Sequence, residues 1–198
     1  MGTTIGIVLF PELEELDAVG PWEVFTMAAK QQEGVRVVSI AERSEPLRCA
    51  KGLRLIPDHT FADAPALDVV VVPGGQGTRR EVDNPVIVDW LAKVATRCTW
   101  VTSVCTGALL ICEAGLAEGR RVTTHWAYVS TLRERYPEIE VLEGVRYVRD
   151  GSIVSSAGVS AGIDMALWLT GQLWGVECAR NTQRAMEYDP APPYTAEV

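Results

Sequence analysis

The chain has 198 residues, of which 47% are hydrophobic and 22% are charged, and its formal net charge is −8. This length and balance are typical of one globular domain with a sizeable core, so residues 1–198 are assigned to a single domain. A chain with this negative charge lacks the positively charged surface that binds nucleic acid or an anionic membrane, so neither partner is expected.

The N-terminal residues and the cysteines indicate a cytoplasmic protein. Residues 1–10 lack a basic region, which predicts a first strand and not a signal peptide. No apolar run approaches the length that spans a bilayer. The five cysteines are an odd number without a C-x-x-C pair, and the chain has two histidines. This composition favours a reducing compartment and indicates neither a disulfide framework nor a metal site.

The first half of the chain alternates between predicted strands and helices. Val69–Val72 is a continuous apolar run, which is typical of a strand buried on both faces of a parallel sheet. Pro21 suits the first turn of a helix. The predicted elements are, in order, a strand at 3–10, a loop at 11–17, a helix from about 20 to 34, a strand at 35–40, a short hairpin or excursion strand within 48–60, a strand at 69–72 and a helix from 84.

The second half continues this alternation. The predicted elements are a strand at 100–104, a helix at 108–113, a short strand at 121–124, a helix at 127–136, a hairpin of 145–148 with 153–155, a long helix from about 160, a last helix through about 187 and an extended tail at 189–193. Together the elements predict an α/β fold, a doubly wound sandwich with a mostly parallel sheet. In such folds function gathers at the carboxyl ends of the strands.

Cys105 lies where a strand changes to a helix, and it is the candidate nucleophile. Ser103 and Gly107 flank it, so the segment is related to the G-x-S-x-G nucleophile elbow with cysteine in the central position. The N-terminus of the following helix is expected to lower the thiol pKa and to favour the reactive thiolate. The alternative is a buried and unreactive cysteine, which is what most free cysteines are.

Residues at two other strand ends are candidate partners of this cysteine. Gly74 and Gly75 follow the strand at 69–72, and their N–H groups are candidates to hold a developing negative charge; a tight structural turn is the alternative. Asp17 beside Cys105 would be a general acid and base with a pKa raised by burial, although an acid before a helix is more often a cap or a solvated charge. Thr106 is a candidate to donate to that carboxylate or to position a water molecule.

Other residues near these segments receive weaker assignments. His125 suggests a cysteine–histidine dyad, but a histidine beside aromatic residues is more often structural. Asp164 is expected to satisfy hydrogen-bond donors near the site and not to do chemistry. Trp22, Trp126 and Trp168 are expected to lie in the core.

Taken together, these segments resemble the ThiJ/PfpI superfamily nearly from end to end. The matching segments are GIVLFP at 6–11, LDAVGPWEVF at 16–25, VVPGG at 71–75, SVCTGALL at 103–110, TTHW at 123–126, AGVSAGID at 157–164 and EYDPAPPY at 187–194. The resemblance implies a flavodoxin-like fold, similar to the class I glutamine amidotransferases. It implies Gly158 and Val159, with His125, Trp126 and Asp164, as candidates to line the site. Because members are commonly homodimers, a homodimer is expected.

The pattern within that superfamily is similar to its isonitrile (isocyanide) hydratase branch. Protease-like members place histidine where this chain has Thr106, and deglycase and glyoxalase-like members place glutamate where it has Asp17. The resemblance implies a small-molecule isonitrile substrate, a thioimidate on Cys105, proton transfer by Asp17 and an N-substituted formamide as product, without a cofactor. It also implies that Thr106 and the backbone N–H groups near Gly75 and Thr106 orient the carboxyl and hold the developing charge. AraC-type regulators carry a helix-turn-helix after this domain; the chain stops at Val198, so DNA binding of that kind is not expected.

Two other classes of function stay open. One is a different cysteine-dependent hydrolase or lyase, acting on amides, α-oxoaldehydes or glycated groups. The other is a non-catalytic redox sensor in which Cys105 is oxidised to the sulfinate.

Overall fold

A mostly parallel sheet lies at the centre of the structure, a computed structural model that describes residues 2–189. The strands are, in chain order, β1 (Thr4–Leu9), β2 (Arg36–Ala41), β3 (Leu47–Arg48), β4 (Arg54–Leu55), β5 (His59–Thr60), β6 (Val69–Val72), β7 (Trp100–Val104), β8 (Arg121–Val122), β9 (Glu140–Val141), β10 (Tyr147–Asp150) and β11 (Ile153–Ser156). Within the described residues, seven strands form the central sheet in the order β10-β11-β7-β6-β1-β2-β5, and β10 alone runs antiparallel to its neighbour.

Helices cover both faces of this sheet. They are α1 (Glu15–Ala29), α2 (Thr78–Glu81), α3 (Pro85–Ala95), α4 (Gly107–Glu113), α5 (Val129–Arg135), α6 (Ala161–Trp174) and α7 (Val176–Ala185), with a 3-10 turn at Trp126–Tyr128. Helices α1, α6 and α7 pack on one another, and α2 and α3 pack on α4 on the opposite face. The predicted doubly wound α/β sandwich is therefore confirmed. None of the helices within residues 2–189 is both long and apolar enough to cross a bilayer.

Short strands lie in the segments 48–60 and 121–124. Of the two alternatives for 48–60, a hairpin or an excursion strand, the structure shows a hairpin of β3 and β4 that begins at Leu47, whereas β5 joins the central sheet beside β2. The predicted strand at 121–124 is shorter, since β8 pairs with β9 in a separate two-stranded sheet. The hairpin of β10 and β11 is confirmed, with Asp150 opposite Ile153. Most of the predicted tail, 190–193, lies outside the described residues.

Helix α1 begins earlier than the sequence pattern predicts. It starts at Glu15 and not near Gly20, so Asp17 lies in its first turn and Pro21 lies inside the helix. The acidic residues at 12–17 suggested a loop. However, carboxylates are favourable in the first turn of a helix, where the unpaired N–H groups carry partial positive charge. This early start turns Asp17 inwards, where none of its surface is exposed.

Strands β1, β6, β7 and β11 bring the candidate residues to one edge of the sheet. All four residues of β6 are fully buried, as the apolar run predicted. Its register places Val70 beside Val101 of β7, and β11 pairs Ser156 with Val104. The turn after β6, the turn after β7, the segment after β11 and the first turn of α1 consequently meet at the carboxyl edge.

Candidate active site

Cys105 occupies a strained turn between β7 and α4. Its φ is +57°, a left-handed conformation that residues other than glycine rarely adopt. Both of its backbone groups are held: the N–H donates to the carbonyls of Ser156 and Ala157 at 3.1 Å each, and the carbonyl accepts from Thr124 Oγ1 at 2.8 Å. The predicted sharp elbow is therefore confirmed. Such a conformation costs free energy and persists because these bonds over-determine it.

Asp17 lies beside this cysteine as a buried carboxyl. Its Oδ2 accepts the Gly74 N–H at 3.0 Å, while Oδ1 is buried without a regular hydrogen-bond partner among residues 2–189. Burial, and then the negative charge of Glu14, raise the pKa of Asp17 to about 7, against opposing contributions from the Gly74 N–H and the Cys105 thiol. The helix cap of α1 is Glu14, so the alternatives of a cap and of a solvated charge do not apply to Asp17.

The expectation of a lowered thiol pKa at Cys105 is wrong. Burial first, and then the Asp17 carboxylate, raise the pKa of Cys105 to about 12, although the N–H groups of Thr106 and Val159 donate towards the sulfur and oppose the rise. The thiol is only 6% exposed, and α4 has two turns. Burial and a neighbouring charge therefore outweigh the helix N-terminus. At neutral pH the thiol keeps its proton, and the half-ionised Asp17 is the group that can accept it.

Thr106 is held by the glycine turn and not by Asp17. Its Oγ1 accepts the Gly75 N–H at 3.0 Å and contacts Thr78 Oγ1 at 3.1 Å. The N–H groups of Gly74 and Gly75 are thus occupied by Asp17 and Thr106, which differs from the predicted role of these two groups in holding a developing charge. The donors that point at the sulfur are the N–H groups of Thr106 and Val159.

The close approach of the chain at Gly74 yields a first testable prediction. A Cβ at this position would lie 2.5 Å from Thr106 N and 2.9 Å from Asp17 Oδ2. We expect Gly74→Ala to displace the carboxyl, to destabilise the fold by roughly 1–3 kcal/mol and to remove most turnover, measured by urea unfolding and steady-state kinetics. Gly171→Ala is the control, because a Cβ there meets its nearest neighbour at an ordinary 3.6 Å. Equal stability and activity of the two variants would contradict the assigned packing.

A cavity of about 290 Å³ opens beside the cysteine. Thr124, Ala157 and Val159 belong to its lining and also contact Cys105. Its outer wall includes Trp126, which is 77% exposed; the expectation of a core tryptophan is wrong here, because the 3-10 turn carries this indole outwards. Trp22 and Trp168 pack against the core, partly buried.

His125 lines this cavity without forming a dyad. Its Nδ1 accepts the Ala127 N–H at 3.2 Å, and its ring packs on Gly158, where a Cβ would come within 2.3 Å of Cδ2. Within the described part of the chain, no hydrogen bond joins His125 to Cys105. The structural interpretation of this histidine is therefore the one that the geometry supports.

Val159 and Asp164 support the far side of the cavity. Val159 has φ of +47°, unusual for a β-branched residue, and this conformation directs its N–H at the sulfur of Cys105. Asp164 accepts from Arg146 Nε at 2.7 Å and from Tyr188 Oη at 2.8 Å. It satisfies side-chain donors near the site, as expected. Arg146, which lines the cavity, gave no signal in the sequence, because an arginine between Val145 and Tyr147 in a predicted strand usually lies on the solvent face.

A larger cavity, about 730 Å³, lies at the carboxyl ends of β1 and β2, and like the smaller cavity it does not include Cys105 or Asp17 in its lining. Its Arg80 pairs with Glu81 at 2.8 Å, and its Arg43 pairs with Glu42 at 3.5 Å. Within the described residues no hydrogen bond joins its lining to Cys105, whereas Thr124, Ala157 and Val159 of the smaller cavity all interact with that cysteine, so the larger cavity is not the candidate active site.

Comparison with known proteins identifies relatives of this chain. The profile of the DJ-1/PfpI family matches residues 3–172. An isonitrile hydratase from Pseudomonas putida is 40% identical over 194 residues, which are 98% of this chain and 82% of that protein. A glutathione-independent glyoxalase, DJR-1.2, from Caenorhabditis elegans is 27% identical over 179 residues, covering 86% of this chain and 89% of the relative. A crystal structure of a ThiJ/PfpI family protein from Pseudomonas syringae superimposes with a TM-score of 0.90 at 30% identity, covering 100% of this chain and 80% of the other.

Proposed function

The chain belongs to the DJ-1/PfpI family, and from the geometry of its site we propose that it hydrates an isonitrile to an N-substituted formamide. One observation carries the proposal: a buried thiol and a buried carboxyl with a pKa near neutrality face each other, and three residues that hold the cysteine also line a small cavity. Such a pair can move a proton while the sulfur forms a bond. The similarity to an isonitrile hydratase supports this choice of substrate.

The first half of the proposed reaction forms a thioimidate. The Asp17 carboxylate accepts the thiol proton, and the Cys105 sulfur forms a bond to the terminal carbon of R–N≡C. The resulting imidoyl anion takes that proton from Asp17 at the same carbon, which gives R–N=CH–S–Cys. The free Oδ1 supports this route, since Oδ2 stays bound to the Gly74 N–H and Oδ1 is available for the proton.

The second half adds water and releases the product. Asp17 accepts a proton from water as the water oxygen bonds to the thioimidate carbon, and the proton passes to the nitrogen. The C–S bond of R–NH–CH(OH)–S–Cys then breaks, and the hydroxyl proton returns to the sulfur through Asp17. R–NH–CHO leaves and the thiol is restored. The N–H groups of Thr106 and Val159 stabilise the departing thiolate.

The cavity suggests a compact and mainly apolar R group. A volume of about 290 Å³ lies at the lower end of the usual size of ligand pockets. Its walls include Trp126, Val129, Val145 and Val159. Arg146, the cationic side chain of the wall, is already paired with Asp164, so a charged R group gains little from it.

The proposal predicts both a substrate and a pH profile. We expect wild-type protein to convert a simple isonitrile to the formamide, followed by formamide absorbance, with kcat/KM rising with pH up to about 7 and then levelling. The sign follows from the pKa of Asp17: below pH 7 the carboxyl is protonated and cannot accept the thiol proton, so the rate falls about tenfold per pH unit. The measured value belongs to the coupled pair.

A parallel assay separates this function from its nearest alternative. Methylglyoxal is the matched substrate, because a relative of this chain is a glyoxalase. Consumption of methylglyoxal without hydration of any isonitrile would overturn the proposal while leaving the Cys105–Asp17 pair as the reacting centre.

A further inference from the structure

Arg79 contacts the same glycine turn, at 74–75, that binds Asp17. Its Nη1 donates to the Gly75 carbonyl at 2.7 Å and lies 3.5 Å from Thr106 Oγ1. The same carbonyl accepts from Thr78 Oγ1 at 2.8 Å. Both backbone groups of Gly75 are therefore held, the N–H by Thr106 and the carbonyl by Arg79 and Thr78.

The guanidinium of Arg79 also stacks on an aromatic ring. Its Cζ lies 4.4 Å from the centroid of the Tyr128 ring, within the range of a cation–π contact. Tyr128 ends the 3-10 turn that carries Trp126, the exposed wall of the catalytic cavity. Arg79 therefore joins the wall of the cavity to the turn that holds the elbow.

This contact reaches the reacting sulfur in two steps. The Gly75 peptide fixes Thr106 Oγ1, and the N–H of the same Thr106 donates towards the Cys105 sulfur. A shift of the Gly75 peptide would rotate Thr106, and release of the Tyr128 ring would free the wall at 126–128. Small displacements of this kind change reactivity because the reacting groups must be held in place.

We propose that Arg79 is a positioning residue, whose guanidinium, held between the Tyr128 ring and the Gly75 carbonyl, fixes the cavity wall relative to the Cys105–Thr106 elbow. Its effect on hydration rests on the proposed function, whereas its effect on access to Cys105 does not. Arginine suits both contacts because its planar group stacks on the ring while its N–H edge donates.

The test compares alkylation of Cys105 by a bulky reagent, N-phenylmaleimide, and by a small one, iodoacetamide, with each cysteine followed by peptide mass spectrometry. The variants are Arg79→Met, Arg79→Lys, Tyr128→Leu and Tyr128→Phe, with Arg43→Met as the control because that side chain is 79% exposed. We expect Arg79→Met to raise the ratio of bulky to small alkylation at Cys105 by about tenfold, since a stacking contact and a hydrogen bond are lost together. We expect a smaller rise in this ratio for Arg79→Lys, which keeps a donor, and for Tyr128→Leu. Tyr128→Phe keeps the ring and should give the wild-type ratio.

A double variant and an internal control complete the design. The double variant, Arg79→Met with Tyr128→Leu, should raise the alkylation ratio at Cys105 no further than Arg79→Met alone, since both substitutions remove the same contact. Cys112, which is 5% exposed on α4, reports global loosening. The inference is overturned if Arg79→Met gives the same alkylation ratio at Cys105 as Arg43→Met. It is also overturned if the rises caused by Arg79→Met and Tyr128→Leu multiply in the double variant, or if alkylation of Cys112 increases as much as alkylation of Cys105.

Hydration kinetics add the readout that depends on the proposed function. We expect Arg79→Met to lower kcat about tenfold, and Arg79→Lys to recover part of that loss. If wild-type protein hydrates no isonitrile, the proposed function fails and the alkylation ratios still decide the role of Arg79. If wild type is active and Arg79→Met keeps full kcat, the positioning role is overturned.

Discussion

Replacing Cys105 with alanine is expected to abolish isonitrile hydration while leaving the fold intact. In the proposed route the sulfur forms the bond to the terminal carbon, and no other nucleophilic side chain within residues 2–189 hydrogen-bonds to Asp17. The thiol is buried at a turn whose backbone is held by Ser156, Ala157 and Thr124, so removal of one sulfur atom leaves those bonds in place. Formamide absorbance gives the turnover, and circular dichroism with thermal unfolding checks the fold.

Cys112→Ala is the matched control for this variant. Cys112 lies two helical turns further on in α4 and is buried to the same degree, at 5% exposure, but it is remote from Asp17 in the hydrogen-bond network. It should keep wild-type turnover. In wild type quenched with acid, the mass of one bound isonitrile should appear on the peptide with Cys105 and be missing in Cys105→Ala. Hydration by Cys105→Ala at the wild-type rate would rule out the thioimidate route.

The elements that the sequence predicted well are those whose burial is uniform. Val69–Val72 is a run of valines, and four of the five residues of Trp100–Val104 are β-branched or aromatic; an environment inside a parallel sheet selects for that composition. The start of α1 was predicted wrongly because Glu14, Glu15 and Asp17 resemble a charged loop. The same carboxylates are favourable at a helix N-terminus, and local sequence does not distinguish the two cases.

The meeting of the candidate residues follows from topology, but their electrostatics do not. Asp17, Gly74 and Cys105 each follow a strand of one parallel sheet, so their proximity was predictable. The pKa of Cys105 was not, because its rise comes from depth of burial and from the charge of a residue 88 positions earlier. Arg79 was also missed, since its contacts with Gly75 and Tyr128 exist only in the folded chain.

Replacing Asp17 with asparagine is expected to lower turnover by about 10²–10⁴-fold, the usual contribution of a general acid and base. Asparagine keeps an oxygen for the Gly74 N–H but cannot carry the proton. The same variant should lower the thiol pKa of Cys105, because the negative charge that raises it is gone. More thiolate with less turnover would show that Asp17 serves as the proton carrier and not as a group that holds the thiolate in place.

Asp17→Asn should also make the protein more stable at pH 8. The pKa of Asp17 is about 7 in the fold against an ordinary value of 3.8, so the native state binds a proton more tightly than the unfolded chain. The contribution of Asp17 to wild-type stability therefore falls as pH rises from about 4 to 7, and the rise in its pKa sets a ceiling of about 4 kcal/mol on that loss. Asparagine has no such loss. Urea unfolding of both proteins should show equal stability near pH 4 and a gap that opens by pH 8.

Asp83→Asn separates this effect from the loss of any negative charge. Its carboxylate is 76% exposed, so its removal should change the unfolding free energy by less than about 0.5 kcal/mol at either pH. If Asp17→Asn is less stable than wild type at pH 8, the carboxyl is stabilised by contacts that outweigh its burial, and its pKa in the fold is not raised. The opposite result, a more stable Asp17→Asn, would mean that the buried acid destabilises the fold at neutral pH. Its role is then the proton transfer of the proposed mechanism and not the stability of the fold.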